Sequence, residues 1–251
     1  EPLVEAGLGQ LTVSVDGPAE VHDRVRGLAG SFDRIRLGLE RLRRARRSLG
    51  GRRPRVLVSF TLTDLNHTQL GAFASQVEAL EPAGINVSHP NFITSGMAAA
   101  HNARHPDLAV AASNVGPMDL DGLDFEAMWA GLQALKRWAE RPGRPSLTIV
   151  PDLSGPDALA RYYREPMSWV GARRCSDPWR MLMVKTDGTV IPAHGRCYDV
   201  PVGNVRERGL PELWNAGPIR GLRLQLREAG GALTACARCC GVIGKSVEPG
   251  S

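Results

Sequence analysis

Five cysteines, Cys175, Cys197, Cys236, Cys239 and Cys240, all fall in the last third of this 251-residue chain. Cys236-Ala237-Arg238-Cys239 has the CxxC spacing that lets two thiolates from one turn grip one metal. Cys175 and Cys197 flank Thr186-Asp187-Gly188, a turn signal between two strand runs. A hairpin there would turn both flanks towards the CxxC. Cys175, Cys197, Cys236 and Cys239 then make a four-thiolate set suited to a four-iron cluster or to tetrahedral zinc. Unligated thiols with a redox-active CxxC are the third reading. Cys240 is left over, as a spare thiol or a substitute for Cys239, so a second fully cysteine-ligated cluster cannot be built. His194, near the cysteines, is a candidate ligand or hydrogen-bond donor to sulfur.

Something must position these thiols, and the pattern changes at Cys175. Upstream, strand and helix signals alternate. Strands are predicted over Leu11 to Val15, Val56 to Leu62, Ile85 to Val87 and Leu147 to Val150. Helices are predicted from Ser31, a good N-cap, to Ser48, then over Asn66 to Leu80 and Phe125 to Glu140. A further helix is predicted from Pro156 to about Val170, interrupted near Pro166. Strand–helix alternation implies a parallel sheet. Residues 94–122 read as a long irregular loop that shapes a substrate site. Downstream, strand runs over Trp179 to Val184 and Thr189 to Ile191 precede helices from about Leu210 and Ile219. Trp179 and Trp214 read as core aromatics of this small carboxy-terminal part.

The formal net charge is +5. Ten arginines fall between Arg34 and Arg55, which opens a nucleic-acid reading. Phe32, Ile35, Leu39, Leu42 and Leu49 recur at helical spacing there, which favours the solvated side of an amphipathic helix instead. No apolar run is long enough to span a membrane, and no export signal opens the chain. The cysteines therefore read as thiols or metal ligands of a cytoplasmic protein rather than a disulfide set. The chain enters a strand pattern at once, without a Met, and three parallel strands alone leave both faces and both edges needing cover. A piece of a longer protein is the expectation.

Two segments carry a family resemblance. The first is Ser14-Val15-Asp16-Gly17-Pro18, His22-Asp23, Arg26-Gly27 and Gly30-Ser31-Phe32. The second is Cys175, Pro178-Trp179, Asp187 to Pro192, Cys197, Gly203-Asn204-Val205, Glu212 to Asn215 and Cys236 to Cys240. In that order they resemble radical S-adenosylmethionine enzymes that end in a SPASM, or shortened twitch, auxiliary iron–sulfur module. The resemblance implies an α/β fold: the later part of a partial TIM-like barrel over residues 1–155, a connecting helix over 156–174, and a small α+β cluster module over 175–251. It implies an auxiliary 4Fe–4S cluster on Cys175, Cys197, Cys236 and Cys239, with Cys197 replacing a ligand expected where Ala193 stands.

The resemblance further implies a second 4Fe–4S cluster on a CxxxCxxC loop, which reduces S-adenosylmethionine to a 5′-deoxyadenosyl radical. No CxxxCxxC occurs in these residues, so this oxidoreductase-type chemistry, modifying a peptide or small molecule, is expected only of a full-length form. An external electron donor such as flavodoxin or ferredoxin is implied as partner. Ser14 and Asp16 sit where the family contacts the ribose and amino acid of S-adenosylmethionine. Ser59 in the next strand and Asn66 after it complete that candidate set, although Asp16 also suits a turn and Asn66 a helix N-cap. His89 and Asn91 could face substrate, whereas His67, His101 and His105 read as surface residues. The competing functions are a zinc protein whose four cysteines only support folding, and a partner-binding protein without the chemistry.

Overall fold

The structure, a computed structural model, describes residues 2–114, 120–170, 173–193 and 200–243. In chain order its elements are α1 (Pro2–Glu5), β1 (Gln10–Ser14), α2 (Ala19–Arg26), α3 (Ser31–Ser48), β2 (Arg55–Thr61), α4 (Leu70–Glu78), β3 (Gly84–Ser88), α5 (Ser95–Asn102), α6 (Phe125–Ala139), β4 (Ser146–Val150), α7 (Pro156–Arg164), β5 (Met183–Val184), β6 (Thr189–Ile191), β7 (Gly203–Asn204), α8 (Leu210–Trp214), α9 (Gly217–Glu228) and α10 (Cys240–Ile243). Short 3-10 turns occupy Pro106–Leu108, Asp177–Trp179 and Thr234–Arg238. The chain divides into two compact units, Glu1–Pro90 with Met118–Ala160, and Asn91–Pro117 with Arg161–Ser251.

The first unit is built on a parallel four-stranded sheet in the order β1-β2-β3-β4. Alternation along each strand sorts its side chains onto two faces. Val56, Val58 and Phe60 of β2 and Ile85 and Val87 of β3 are buried. Phe60 meets Phe73 of α4 with ring centroids 4.6 Å apart. Behind α4 lies α6, where Gly131 admits Leu70 so closely that a Cβ would sit 3.2 Å from it. Asp124 caps α6, its Oδ1 accepting from Ala127 N at 2.9 Å. The apolar stripe of α3 is buried at Phe32, Leu39, Leu42 and Ala45, while Leu49, the C-cap, is exposed. Arg34, Arg41, Arg44 and Arg47 lie on its exposed side, as expected of a solvated face.

The second unit has a three-stranded antiparallel sheet, β5-β6-β7. Its turn closes as the Asp-Gly signal predicts: Lys185 N donates to Thr189 O at 2.7 Å, and Asp187 Oδ1 accepts from Thr189 N at 2.9 Å. Hydrogen bonds from Thr189 hold the Asp187 carboxyl below its usual range. Val190, Val202, Leu213 and Ile219 form the small core beneath.

Several expectations are corrected. The segment 94–122 is not irregular throughout: Thr94 caps α5, accepting from Met97 N at 3.1 Å, and Met97, Ala98 and His101 are buried. Residues 177–179 turn rather than extend, so the strand shrinks to Met183–Val184. His67 and His101 are buried, not surface residues. His67 accepts from Asp124 N at 3.1 Å and lies 2.9 Å from Asp64 O, which ties it to the start of α6; His101 lies 2.9 Å from Leu108 O. Among the described residues, no helix is long and apolar enough to cross a membrane.

His89, which ends the third strand region, is only 3% exposed. Burial pushes its pKa down from 6.5 to about 3. Between those values the unfolded chain binds a proton that the folded chain refuses, so stability falls as pH falls. Chemical unfolding at pH 7 and pH 5 should show a loss of about 2 kcal/mol from this group. The His89→Leu variant, whatever its own stability at pH 7, should show a pH dependence shallower by that amount. An unchanged slope would mean that His89 accepts its proton within the fold.

Candidate metal centre

The CxxC is made by a turn, Thr234–Arg238, followed directly by α10. Cys236 N donates to Leu233 O at 2.8 Å and Cys239 N to Cys236 O at 2.9 Å. Cys239 O then accepts from Val242 N and Ile243 N, at 2.9 and 3.0 Å, which starts α10. Two helices of the same unit hold this turn. Met97 and Ala98 of α5 pack with Ala235 and Ala237. Leu222 and Leu226 of α9 pack with Leu233, Cys236, Cys239 and Val242. Cys175 and Cys240, half-buried, lie against that same cluster.

Cys175 is brought there by a close approach of two backbone segments. Cys175 N donates to Gly231 O at 2.9 Å. Gly231 has φ +113°, and a Cβ on it would stand 2.6 Å from Arg173 O. Only glycine allows the two chains so near each other. A second contact reaches the start of α10: a Cβ on Gly241 would lie 3.3 Å from Cys175 Sγ and 2.5 Å from Asp177 Oδ2. Four of the five cysteines therefore surround one apolar cluster, and none of the four is in a disulfide. Cys240 hydrogen-bonds with Cys239, and that bond, reinforced by burial, pushes the Cys240 thiol well above its ordinary pKa.

An iron–sulfur cluster-binding family, SPASM, matches residues 175–240. This segment is a SPASM domain. A stretch of 46 residues is also 50% identical to an AdoMet-dependent heme synthase of Methanosarcina barkeri (strain Fusaro / DSM 804). That stretch is 18% of this chain, and the match spans 13% of the relative's length. Both findings bear out the resemblance to SPASM-containing radical S-adenosylmethionine proteins.

The donor chemistry of the SPASM domain fits such a cluster: soft sulfur donors gathered in an apolar, largely dry setting. The described thiols share the cluster without closing round one point. Among the described residues, no three Cys, His, Asp or Glu side chains converge as metal ligands do. Cys197 and His194 lie outside the described residues. Trp179 is half-buried against the same cluster, and Trp214 carries the Arg223 guanidinium over its ring at 4.8 Å.

The residues suggested as S-adenosylmethionine contacts lie in the first unit and divide into two kinds. Asp16 and Asn66 are 1% and 0% exposed and form an internal clasp. Asp16 Oδ1 accepts from Thr61 N at 3.0 Å, and Oδ2 meets Arg26 Nη2 at 2.5 Å. Asp16 N donates to His22 Nδ1 at 3.1 Å, which requires a neutral imidazole, and burial pushes the His22 pKa down. Asn66 is not a helix cap. Its Nδ2 donates to Asp16 O at 3.0 Å and Thr61 O at 2.9 Å, while its Oδ1 accepts from Thr63 N at 2.7 Å. Asp23 serves the start of α3, accepting from Ser31 Oγ at 2.8 Å and Phe32 N at 2.9 Å. The polar groups of the motif from Ser14 to Phe32 thus bind largely to one another and to Thr61 and Asn66, while buried His22 Nε2 has no hydrogen-bond partner among the described residues.

Ser14 and Ser59 differ, because they are register partners on the more open sheet face. The row continues through Asn86 of β3 to Thr148 of β4. Neither Asn86 nor Thr148 stands out in the sequence. The signal was available: each is a polar residue flanked by apolar ones in a strand, one position per strand. Asn91, by contrast, belongs to the second unit, where its O and Oδ1 accept from Asn114 Nδ2 at 3.0 and 2.8 Å.

Proposed function

We propose that this chain is part of a radical S-adenosylmethionine enzyme whose SPASM domain binds an auxiliary 4Fe–4S cluster through Cys175, Cys236 and Cys239, with Cys197 as fourth ligand and Cys240 as the substitute for Cys239. The observation that carries the reading is the gathering of Cys175, Cys236, Cys239 and Cys240 on one apolar cluster within the segment that matches SPASM. A cluster with four protein thiolates has no open iron, so it relays an electron or holds the fold. The parallel sheet of the first unit supports reading it as part of a TIM-like barrel, with the row Ser14, Ser59, Asn86 and Thr148 on its ligand-facing side. In the full-length form, S-adenosylmethionine would bind over that row. Asp16 and Asn66 would act by holding the ends of β1 and β2. The enzyme's substrate would be a peptide or small molecule, and its electrons would come from a flavodoxin- or ferredoxin-like donor in a reducing, cytoplasmic setting.

Anaerobic purification and reconstitution with iron and sulfide tests the metal assignment directly. About four irons and four sulfides per chain, with a broad visible absorption band that reduction bleaches, are expected. One tightly held zinc, or no metal, would overturn the assignment and leave a structural site or plain thiols.

A further inference from the structure

Arg238 sits between two of the cysteines and is 0% exposed. Its Nε donates to Tyr162 O at 2.7 Å. Nη1 donates to Ser168 O at 2.6 Å and Ala237 O at 3.0 Å. Nη2 donates to Glu165 O at 2.8 Å and Ser168 Oγ at 3.3 Å. The guanidinium carbon stands 4.6 Å from the centre of the Tyr162 ring. Every one of these partners is uncharged. The Glu165 carboxylate, on an exposed side chain, acts on Arg238 only from beyond ion-pair distance, and among the described residues no other carboxylate lies within that distance.

Carbonyls at the end of α7 satisfy the hydrogen bonds and favour a cation, but they do not neutralise a full charge. A buried ion without a counter-ion is strongly unfavourable, because the low-dielectric interior does not repay its lost hydration. Many buried groups escape that cost by giving up their proton, and arginine cannot. The charge therefore calls for an anion close by. Arg238 lines one recess together with Cys239, Cys240, Phe92, Ile93 and Ser113. Of these, only the two thiols can become negative.

We propose that Arg238 is the built-in counter-charge of an anionic, thiolate-ligated group on the CxxC, and that it favours the reduced state of that group. The proposal rests on the cluster reading given above. Four thiolates outweigh the charge of a 4Fe–4S core, so the ligated cluster is an anion that gains one more negative charge on reduction. A fixed cation beside it stabilises the reduced form over the oxidised one. Arg238 is a positioning residue as well, because it ties the CxxC turn to residues 161–168.

The test uses the full 251-residue chain, reconstituted anaerobically, as wild type, Arg238→Gln and Arg238→Lys. The midpoint potential is read by redox titration, with visible absorption and electron paramagnetic resonance as signals. Glutamine keeps amide donors but no charge. At a fixed potential it should shift the reduced-to-oxidised ratio about tenfold towards oxidised, a fall of ~59 mV for one electron. Lysine keeps the charge and should stay close to wild type. A loaded glutamine variant at the wild-type potential, or a lysine variant shifted as far as the glutamine one, overturns the counter-charge and leaves Arg238 as a tie. If glutamine blocks loading, restoration by lysine supports the charge, and an equally empty lysine variant overturns it. If wild type itself takes up no iron and sulfide, the cluster reading falls and the counter-charge falls with it.

Discussion

Reconstituted Cys236→Ala, Cys239→Ala and Cys175→Ala chains should each lose the visible absorption band, with bound iron reduced by about tenfold or more, while Cys240→Ala should keep most of both. Position is what separates the thiols. Cys236 and Cys239 lie on one hydrogen-bonded turn and are 3% and 8% exposed. Cys175 is pinned to the same place by its bond to Gly231 and its approach to Gly241. Cys240 opens α10 and stands at the half-buried side of the cluster. Iron assay and absorption on the same samples decide the matter. Iron lost from Cys240→Ala and kept by Cys239→Ala would give Cys240 the place assigned to Cys239. Iron kept by all four would remove this cluster from the metal site altogether. Melting of the metal-free forms supplies the control: a small buried thiol replaced by alanine costs little, so these chains should melt near wild type without metal. A large drop there would mark the cysteine as core packing.

Much of this arrangement was legible from residue order. β1, β2, β3 and β4 fall within a residue or two of the predicted strands, because period-two apolar patterns survive wherever one face is buried. α3 spans Ser31 to Ser48 as predicted, since its apolar stripe and flanking glycines agree, but its N-cap is Gly30 and not Ser31, whose hydroxyl instead donates to Asp23. What could not be read depends on partners far along the chain. Segment 94–122 has no periodic apolar stripe, and α5 is held by a local cap plus packing against a turn near residue 235. Nothing in the local sequence sets Arg238 apart; its burial comes from carbonyls some seventy positions earlier. Asn66 has every local mark of a helix cap, yet α4 begins only at Leu70. Its amide instead finds two carbonyls at the ends of adjacent strands, a choice made by tertiary structure.

That choice makes Asn66→Ala a strongly destabilising change in the first unit, at about 3–5 kcal/mol. Removing the amide strands the carbonyls of Asp16 and Thr61 and the Thr63 N–H, all three of which it now satisfies. A buried orphan such as the Asp16 carbonyl costs about 1–3 kcal/mol, and the two part-buried groups add towards the lower end of that range. Asn66→Asp should fare little better, because its second oxygen would face two carbonyls that need a donor. Ser14→Ala, on the open face, should stay within about 0.5 kcal/mol of wild type. Urea unfolding with an unchanged slope reads all three. The contrast separates two roles that the sequence motif merges. In a form of the protein that binds S-adenosylmethionine, Ser14→Ala would weaken binding in a chain of normal stability. Asn66→Ala would weaken it only by loosening the joined ends of β1 and β2, and lowering the temperature would restore it. If Asn66→Ala unfolds at the wild-type urea concentration, the clasp contributes nothing to stability and Asn66 returns to the list of direct ligand contacts.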